Sequence, residues 1–552
     1  MHALLIALIG MIIVVVGILV LRLHAFLALI LAALVVTILT PRENIEQSII
    51  RTNAVQIDRV DGPIVSLRTI GNQKVIEGNN WLLEINEKGA LEPVSKVSLS
   101  ATGNAGGYTL IVENAANSAD SGDYILHSTQ LASAKSAANM NWGEQVATGM
   151  GNTLTKIAIL IAMASIVGKC LMDSGGAERI VLSMTRWLGE RRTPLAFIGS
   201  GFTLSIPVFF DTVFYLLIPL GKAMRARTGR NYLLYVLSIV AGGTMAHSLV
   251  PPTPGPLFVA AEMNIDLGTM MIGGIIVGLI TIVAGYAWAV FANNRWDIPL
   301  RPSEQLSIEE IERIANRDEK ELPSLLSSLM PILIPVVLLG SSTIWNSAID
   351  SSSLTSPVMQ FLDSTIDVVG NKNIALGIAA FMALLLVIRS KLTEEPINRI
   401  VQAALYSGAV IILITAAGGA FGHALRQTGI AITIEELMPS SQSSLIFIGF
   451  LICFLVRTAQ GSSTVAMITT VGIIAPIVAA QELSYHPVYI ALAIGCGSKP
   501  FSWMNDSGFW VISKMSGLTE KEMLKANSPM TAMMGVVGMV VCVIGSLILP
   551  LA

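Results

Sequence analysis

GGTMAHSLVPPTPGPL, residues 242–257, packs four prolines and three glycines into a stretch without a single Asp, Glu, Lys or Arg. It sits inside an apolar run, 231–262, that is long enough to cross a bilayer, for which ~20 apolar residues suffice. No continuous helix survives there, because each proline deletes a backbone donor and clashes with the preceding turn. The span is therefore predicted to be broken. A second interruption, GCGSKPFSWMNDSGF at 495–509, breaks the run 487–513 in the same way. Irregular backbone at membrane depth is tolerated only where it is buried in protein or lines a water-filled cavity. Half-helix N-termini direct partial positive charge at whatever binds there, so the preferred ligand is an anion.

The rest of the chain supports a membrane setting. Of 552 residues, 53% are hydrophobic and 13% charged, against about 25% charged in soluble domains. Further apolar runs occupy 3–21 and 25–40, and a series of them extends from 151 to 550. No small-residue cleavage site follows the first run, which argues against a removed signal peptide. Residues 52–140 differ: short alternating runs such as KVIEGNNWLLEINEKG are broken by Gly, Asn, Asp and Ser, and period-two alternation of this kind predicts a small β sandwich or barrel. The charged stretch 292–322 reads as a solvated loop dividing the chain. The resulting division is 1–51, N-terminal helices; 52–140, an inserted β domain; 141–291, a first half; 292–322, a loop; and 323–552, a second half.

Charge sets an orientation. TRWLGERRTP carries Arg186, Arg191 and Arg192, and GKAMRARTGRN carries Lys222, Arg225, Arg227 and Arg230. Short loops rich in Lys and Arg stay cytoplasmic, so both ends of the run 195–221 lie on one side and the run is predicted to turn back as a re-entrant hairpin at IPVFFD. Run 443–480, flanked by no basic loop, fits a second hairpin from the opposite face. The same logic puts the β domain and both termini outside, with Arg389 and Lys391, Lys514, Lys521 and Lys525 inside. The halves also resemble each other at an offset near 254: GKCLMDSG (168–175) matches GHALRQTG (422–429), LAFIG (195–199) matches LIFIG (445–449), and YVLSIVAGGTMAHS (235–248) matches YIALAIGCGSKPFS (489–502). Repeats in opposite orientation characterise secondary transporters with midplane sites. The predicted fold class is an all-α polytopic membrane protein of two inverted repeats, each with a re-entrant hairpin and a broken helix, plus a small inserted all-β extracytoplasmic domain.

GFTLSIPVFFD, HSLVPPTPGPL, GSSTVAM and GSKPFSWMNDSGFW together resemble the gluconate permease family of secondary transporters, within the ion transporter superfamily. The resemblance covers both membrane halves and omits 52–140. It implies proton-coupled import of gluconate or a related sugar acid across a bacterial inner membrane. Relatives within that family also carry idonate, fructuronate, small hydroxy acids and D-serine. A scaffold with a transport domain of opposed hairpins and broken helices, often moving as an elevator within a homodimer, is implied as well. The implied partners are a sugar-acid anion, protons and membrane lipid.

Asp211, in FFDTVF, is an ionisable residue inside a membrane run and so a functional candidate, either as the proton carrier or as a tip carboxylate reaching the cytoplasmic interface. His247 is either a proton shuttle and carboxylate donor or a structural histidine. Ser462, Ser463 and Thr464 follow Gly461 where the resemblance puts a binding tip; their alternative is helix packing. Lys499 is predicted to meet the substrate carboxylate, and Asp506 to carry a proton, unless the two form a structural ion pair. Ser205, Pro207, Ser248, Thr253, Ser498 and Asn505 complete the predicted binding set at the turns and breaks. Arg457 is either a ligand or a charge anchored by carbonyls, and Phe501 and Trp503 read as packing residues.

Enzyme motifs are absent: no GxSxG, HExxH or phosphate-binding loop occurs. His2, His24, His127, His423 and His486 do not cluster with His247, so neither metal nor cofactor is expected, and a net charge of -3 gives no reason to expect nucleic acid. Cys170, Cys453, Cys496 and Cys542 fall in apolar runs and read as core residues. A sodium-coupled di- or tricarboxylate carrier, or a membrane sensor with the β domain as receptor, are the competing readings. Short cytoplasmic loops leave the sensor no output domain.

Overall fold

The apolar runs fold as helices, since backbone removed from water must bond within its own segment. A computed structural model describes residues 3–19, 21, 23–61, 64–68, 75–86, 90–101, 107–112, 119–189, 192–301, 321–349, 356–390, 392, 395–429, 444–479, 481, 483–503 and 506–551. Among them, seven helical segments are long and apolar enough to cross a membrane. The chain divides into two compact units: Met1–Gly151 with Ala417–Ser441 and Gly472–Ser484, and Asn152–Ala416 with Gln442–Val471 and Tyr485–Ala552.

In the first unit, α1 (Ala3–Leu19) packs on α2 (Ala25–Leu39), and α3 (Arg42–Asn53) leaves at a bend of 100°. Six strands follow, β1 (Val55–Asp61), β2 (Ile64–Arg68), β3 (Gly78–Ile85), β4 (Leu91–Ala101), β5 (Gly107–Val112) and β6 (Tyr124–His127). They close into an antiparallel barrel in the order β1-β2-β5-β4-β3-β6, which leaves no free sheet edge. Successive side chains point to opposite faces, and both faces of β3 and β6 are covered. Leu82 and Ile125 join Ile57, Val65, Val97 and Leu99 in one core cluster. Leu83 and Leu126 pack instead with Ile50 of α3 and with Leu131 and Ala134. The last two belong to α4 (Ser128–Asn139), so the end of the stretch read as β is helical. STQLASAKSAAN is rich in alanine, buries Leu131, Ala134 and Ala138 at helical spacing, and starts on a His127 side-chain cap.

The second unit takes up α5 (Trp142–Asp173) from Asn152 onward, then α6 (Gly176–Leu188). The run predicted as a hairpin is α7 (Thr193–Leu204) and α8 (Phe210–Thr228), joined by a turn at 205–209. At ~1.5 Å per residue, α7 is ~18 Å long, too short to cross a ~30 Å hydrocarbon core. The proline-rich span divides into α9 (Tyr232–Leu249) and α10 (Pro254–Glu262), with a cis Pro251–Pro252 bond in the break. Next come α11 (Leu267–Arg295), α12 (Leu325–Ala348), α13 (Pro357–Val369), α14 (Lys372–Arg389) and α15 (Ile397–Gln427). Ile276, Leu279 and Val283 of α11 stand exposed at helical spacing, as a lipid-facing stripe requires. No sequence signal announced α13, an amphipathic helix with no buried residue. Its Asp363 accepts a hydrogen bond from Trp345 Nε1 at 2.8 Å, while Val358, Phe361 and Val368 face outward.

The second half holds the remaining interruptions. The helices α16 (Ser444–Gln460) and α17 (Ser463–Ala479) make a helix–turn–helix around Gly461, which adopts φ of 90°, and α18 (Val488–Gly497) is separated from α19 (Ser507–Ser516) by the predicted break. Phe501 in that break also has positive φ, 55°. The last helix is α20 (Glu520–Ile548), closed at its start by a Thr519/Glu522 capping box. Broken elements of the two halves touch directly: a Cβ on Gly495 of α18 would lie 2.6 Å from the Ser248 carbonyl oxygen at the end of α9. Glycine is what permits that approach.

Candidate functional site

The interruptions of the second unit meet at one cavity of about 360 Å³, inside the ~300–1,000 Å³ range of small-molecule pockets. Each contributes a helix beginning to its wall: Phe210 and Asp211 open α8, Pro254 opens α10, Ser463 and Thr464 open α17, and Asp506 with Gly508 opens α19. Prolines and glycines thus act twice, ending one helix and letting the next start at the cavity. The N-caps Phe209 of α8 and Thr253 of α10 make no side-chain cap, so the first-turn N–H groups of α8 have no intrahelical partner, while in α10 Pro254 and Pro256 carry no N–H and leave only that of Gly255. Helix ends direct partial positive charge at this space, offset at α19 by the capping Asp506 carboxylate and at α8 by Asp211 in its first turn.

Two cations stand at the wall, and they differ. Arg457 is fully engaged. Its Nε donates to the Ser498 carbonyl at 3.1 Å and to Ser463 Oγ at 3.2 Å, Nη1 donates to the Gly461 carbonyl, and Nη2 pairs with Asp506 Oδ2 at 2.5 Å. Ser463 Oγ also donates to the Ser498 carbonyl at 3.0 Å. Arg457 thereby ties the second hairpin tip to the second break, anchored by carbonyls as one sequence reading had it. Lys499 is 6% exposed and lines the cavity. Among the described residues no carboxylate comes within 4.0 Å of its ammonium. The alternative of a Lys499–Asp506 ion pair is therefore corrected: Asp506 is taken by Arg457, by Ser502 Oγ at 2.5 Å and by the Gly508 amide at 2.9 Å.

The two acids face each other. A Cβ on Gly508 would lie 3.3 Å from Asp506 Oδ1 and 3.8 Å from Asp211 Oδ1. Asp211 makes no hydrogen bond or ion pair among the described residues. His247 also lines the cavity, stacks edge-on against Phe209 at 6.1 Å, and has a buried Nδ1 with no partner among the described residues. Of the predicted set, the cavity brings together Asp211, His247, Ser462, Ser463, Thr464, Ser498, Lys499 and Asp506. Five others stand off its wall. Ser205 and Ser248 are buried, their hydroxyls without a partner among the described residues, Thr253 donates to the Val250 carbonyl at 2.7 Å, Pro207 borders a smaller space near Pro252 and Pro331, and Gly461 contributes its carbonyl to Arg457. Asn505 lies outside the described residues. Phe501 and Trp503 lie off the cavity and, against the packing role read from sequence, stand 53% and 40% exposed; Phe501 stacks on Phe454 at 5.9 Å, and Trp503 Nε1 donates to the Thr458 carbonyl at 3.0 Å. The cysteines are free and buried, as expected of core residues. Sequence reasoning missed Thr244, Asn527 and Thr531 at the wall; ANSPMT at 526–531, polar residues entering an apolar run, was the signal available.

A polytopic helical chain whose broken helices enclose a cavity of small-molecule size is an integral membrane transport protein. Comparison with known proteins gives the family. The model of the GntP family permeases matches residues 124–548, and the chain belongs to that family. An uncharacterized permease of Haemophilus influenzae is 32% identical over 403 residues, 71% of this chain and 81% of that one. The gluconate permease of Pseudomonas aeruginosa is 31% identical over 404 residues, 73% of this chain and 87% of that one. A low-affinity gluconate transporter of Escherichia coli is 30% identical over 398 residues, covering 71% and 85%. The solved structure of the Alcanivorax borkumensis YdaH transporter aligns with a TM-score of 0.48 at 12% identity, over 83% of this chain and 95% of that one. The chain is thus a permease and not an enzyme, and the sensor reading loses its footing. The family match starts at β6, leaving α1–α3 and β1–β5 outside it.

Proposed function

We propose that this permease imports gluconate or a related sugar acid across the bacterial inner membrane by proton symport. The observation that carries the reading is the cavity itself: helix N-termini and Lys499, unpaired among the described residues, converge on a space of about 360 Å³, a size suited to a small organic anion. The names of the P. aeruginosa and E. coli relatives supply gluconate as the first substrate to try. Lys499, Ser462, Ser463 and Thr464 would meet the carboxylate. Asp211 would carry the coupling proton, with His247 and Asp506 as the nearby titratable groups, since Asp211 alone of the two facing acids has no partner among the described residues.

The same order of hairpin and broken helix in each half supports an inverted repeat. Together with the Lys and Arg distribution, it supports a topology in which the barrel and both termini are extracytoplasmic. Elevator movement of the cavity-bearing elements within a homodimer is the transport mode that the family resemblance implies. The test is gluconate uptake into proteoliposomes under an inward proton gradient, without sodium, for the wild type and Asp211→Asn. Uptake that follows the proton gradient and is lost in the variant is expected. Uptake that needs sodium, or that the variant retains, would overturn the coupling scheme.

A further inference from the structure

Asn527 occupies the cavity wall on α20 and is 1% exposed. Both of its amide atoms, Nδ2 and Oδ1, are shut off from solvent and have no hydrogen-bond partner among the described residues. Its neighbours are satisfied: Ser528 Oγ donates to the Ser502 carbonyl, and Thr531 Oγ1 donates to the Ser528 carbonyl at 3.0 Å. A buried amide left idle is costly, and native folds rarely keep one without a use. An amide is also the one neutral side chain that offers a donor and an acceptor side by side. That pairing matches two adjacent hydroxyls on a carbon chain, one accepting from Nδ2 and the other donating to Oδ1. A carboxylate alone would use only half of it.

We propose that Asn527 reads vicinal hydroxyls of the bound anion and so selects polyhydroxylated acids over plain carboxylates. The inference rests on the transport reading above, with Lys499 and the helix ends holding the carboxylate while Asn527 discriminates along the chain. A site built to bond a hydroxyl penalises an analogue lacking it, because the site's own polar groups then stay unpaired.

The test uses the full-length protein in proteoliposomes and measures the gluconate KM together with inhibition by hexanoate, a six-carbon acid without hydroxyls. In Asn527→Leu the gluconate KM should rise about tenfold or more. Hexanoate should inhibit as well as or better than in the wild type, so the gluconate-to-hexanoate preference falls by at least that factor. Damage to the fold would weaken both ligands alike. Should Asn527→Leu fail to insert, Asn527→Ala reads the same ratio with a smaller side chain. A gluconate KM that stays put, or equal losses for both acids, would overturn the inference while leaving the transporter intact. Absence of gluconate uptake by the wild type would overturn it together with the reading it rests on.

Discussion

Replacing Lys499 by methionine should move stability and transport in opposite directions. Lys499 is 6% exposed and has no carboxylate within 4.0 Å among the described residues; the nearest acid to reach its break, Asp506, is paired with Arg457 at 2.5 Å. A buried ammonium without a partner carries an unrecovered desolvation cost. Methionine has nearly the same length and no charge, so the empty protein should gain stability of order 1 kcal/mol or more. Substrate binding should lose the attraction between ammonium and carboxylate, about 4 kcal/mol at ~4 Å with an effective dielectric of ~20. The helix N-termini remain and offset part of that, leaving a loss of about 2–4 kcal/mol, or roughly 30- to 1,000-fold in KM. The assay pairs thermal unfolding of the substrate-free protein in detergent with gluconate uptake in proteoliposomes. A lower unfolding midpoint with an unchanged KM would refute the reasoning, for it would make Lys499 a structural cation like Arg457.

The remaining expectations concern the scaffold of the site. Arg457→Met should leave the Asp506 carboxylate without its cation and take a donor from the Gly461 and Ser498 carbonyls, at a cost of about 3–5 kcal/mol, lowering the unfolding midpoint and abolishing uptake; adding Asp506→Leu should restore much of the midpoint but none of the uptake. Recovery of neither would show that the pair is not the source of the loss. Gly495→Ala should disable transport, since its Cβ would sit 2.6 Å from the Ser248 carbonyl oxygen and overpacking of that kind costs about 1–3 kcal/mol or more. Gly377→Ala in α14, which meets nothing within 4 Å, should leave uptake intact and raise the midpoint slightly, as helix propensity favours alanine by about 1 kcal/mol.

How much of this was written locally in the chain follows from the range of each interaction. Pro251, Pro252, Pro254 and Pro256 act on their own backbone, so the break between α9 and α10 was legible residue by residue. The alternation that predicts strands was equally local, yet the barrel order was not, because β5 pairs with β2, and β6 with β1 and β3, across intervening strands. Arg457 shows the limit most clearly. Its role depends on Ser498 and Asp506, 41 and 49 residues away, and no property of the RTAQGSS stretch distinguishes an anchored arginine from a substrate-binding one. Lys499 carries the same formal charge in a similar setting, and only the third dimension separates them: Arg457 holds two interruptions together, whereas Lys499 lines the cavity with no carboxylate within 4.0 Å among the described residues. Asn527 was hidden for a related reason, since an asparagine entering an apolar helix reads alike whether its amide meets protein or a cavity. The proposed chemistry of the site therefore lies in the polar groups left unpaired among the described residues, Asp211, His247, Lys499 and Asn527. The residues it satisfies, Arg457 and Ser502 among them, keep those four in place.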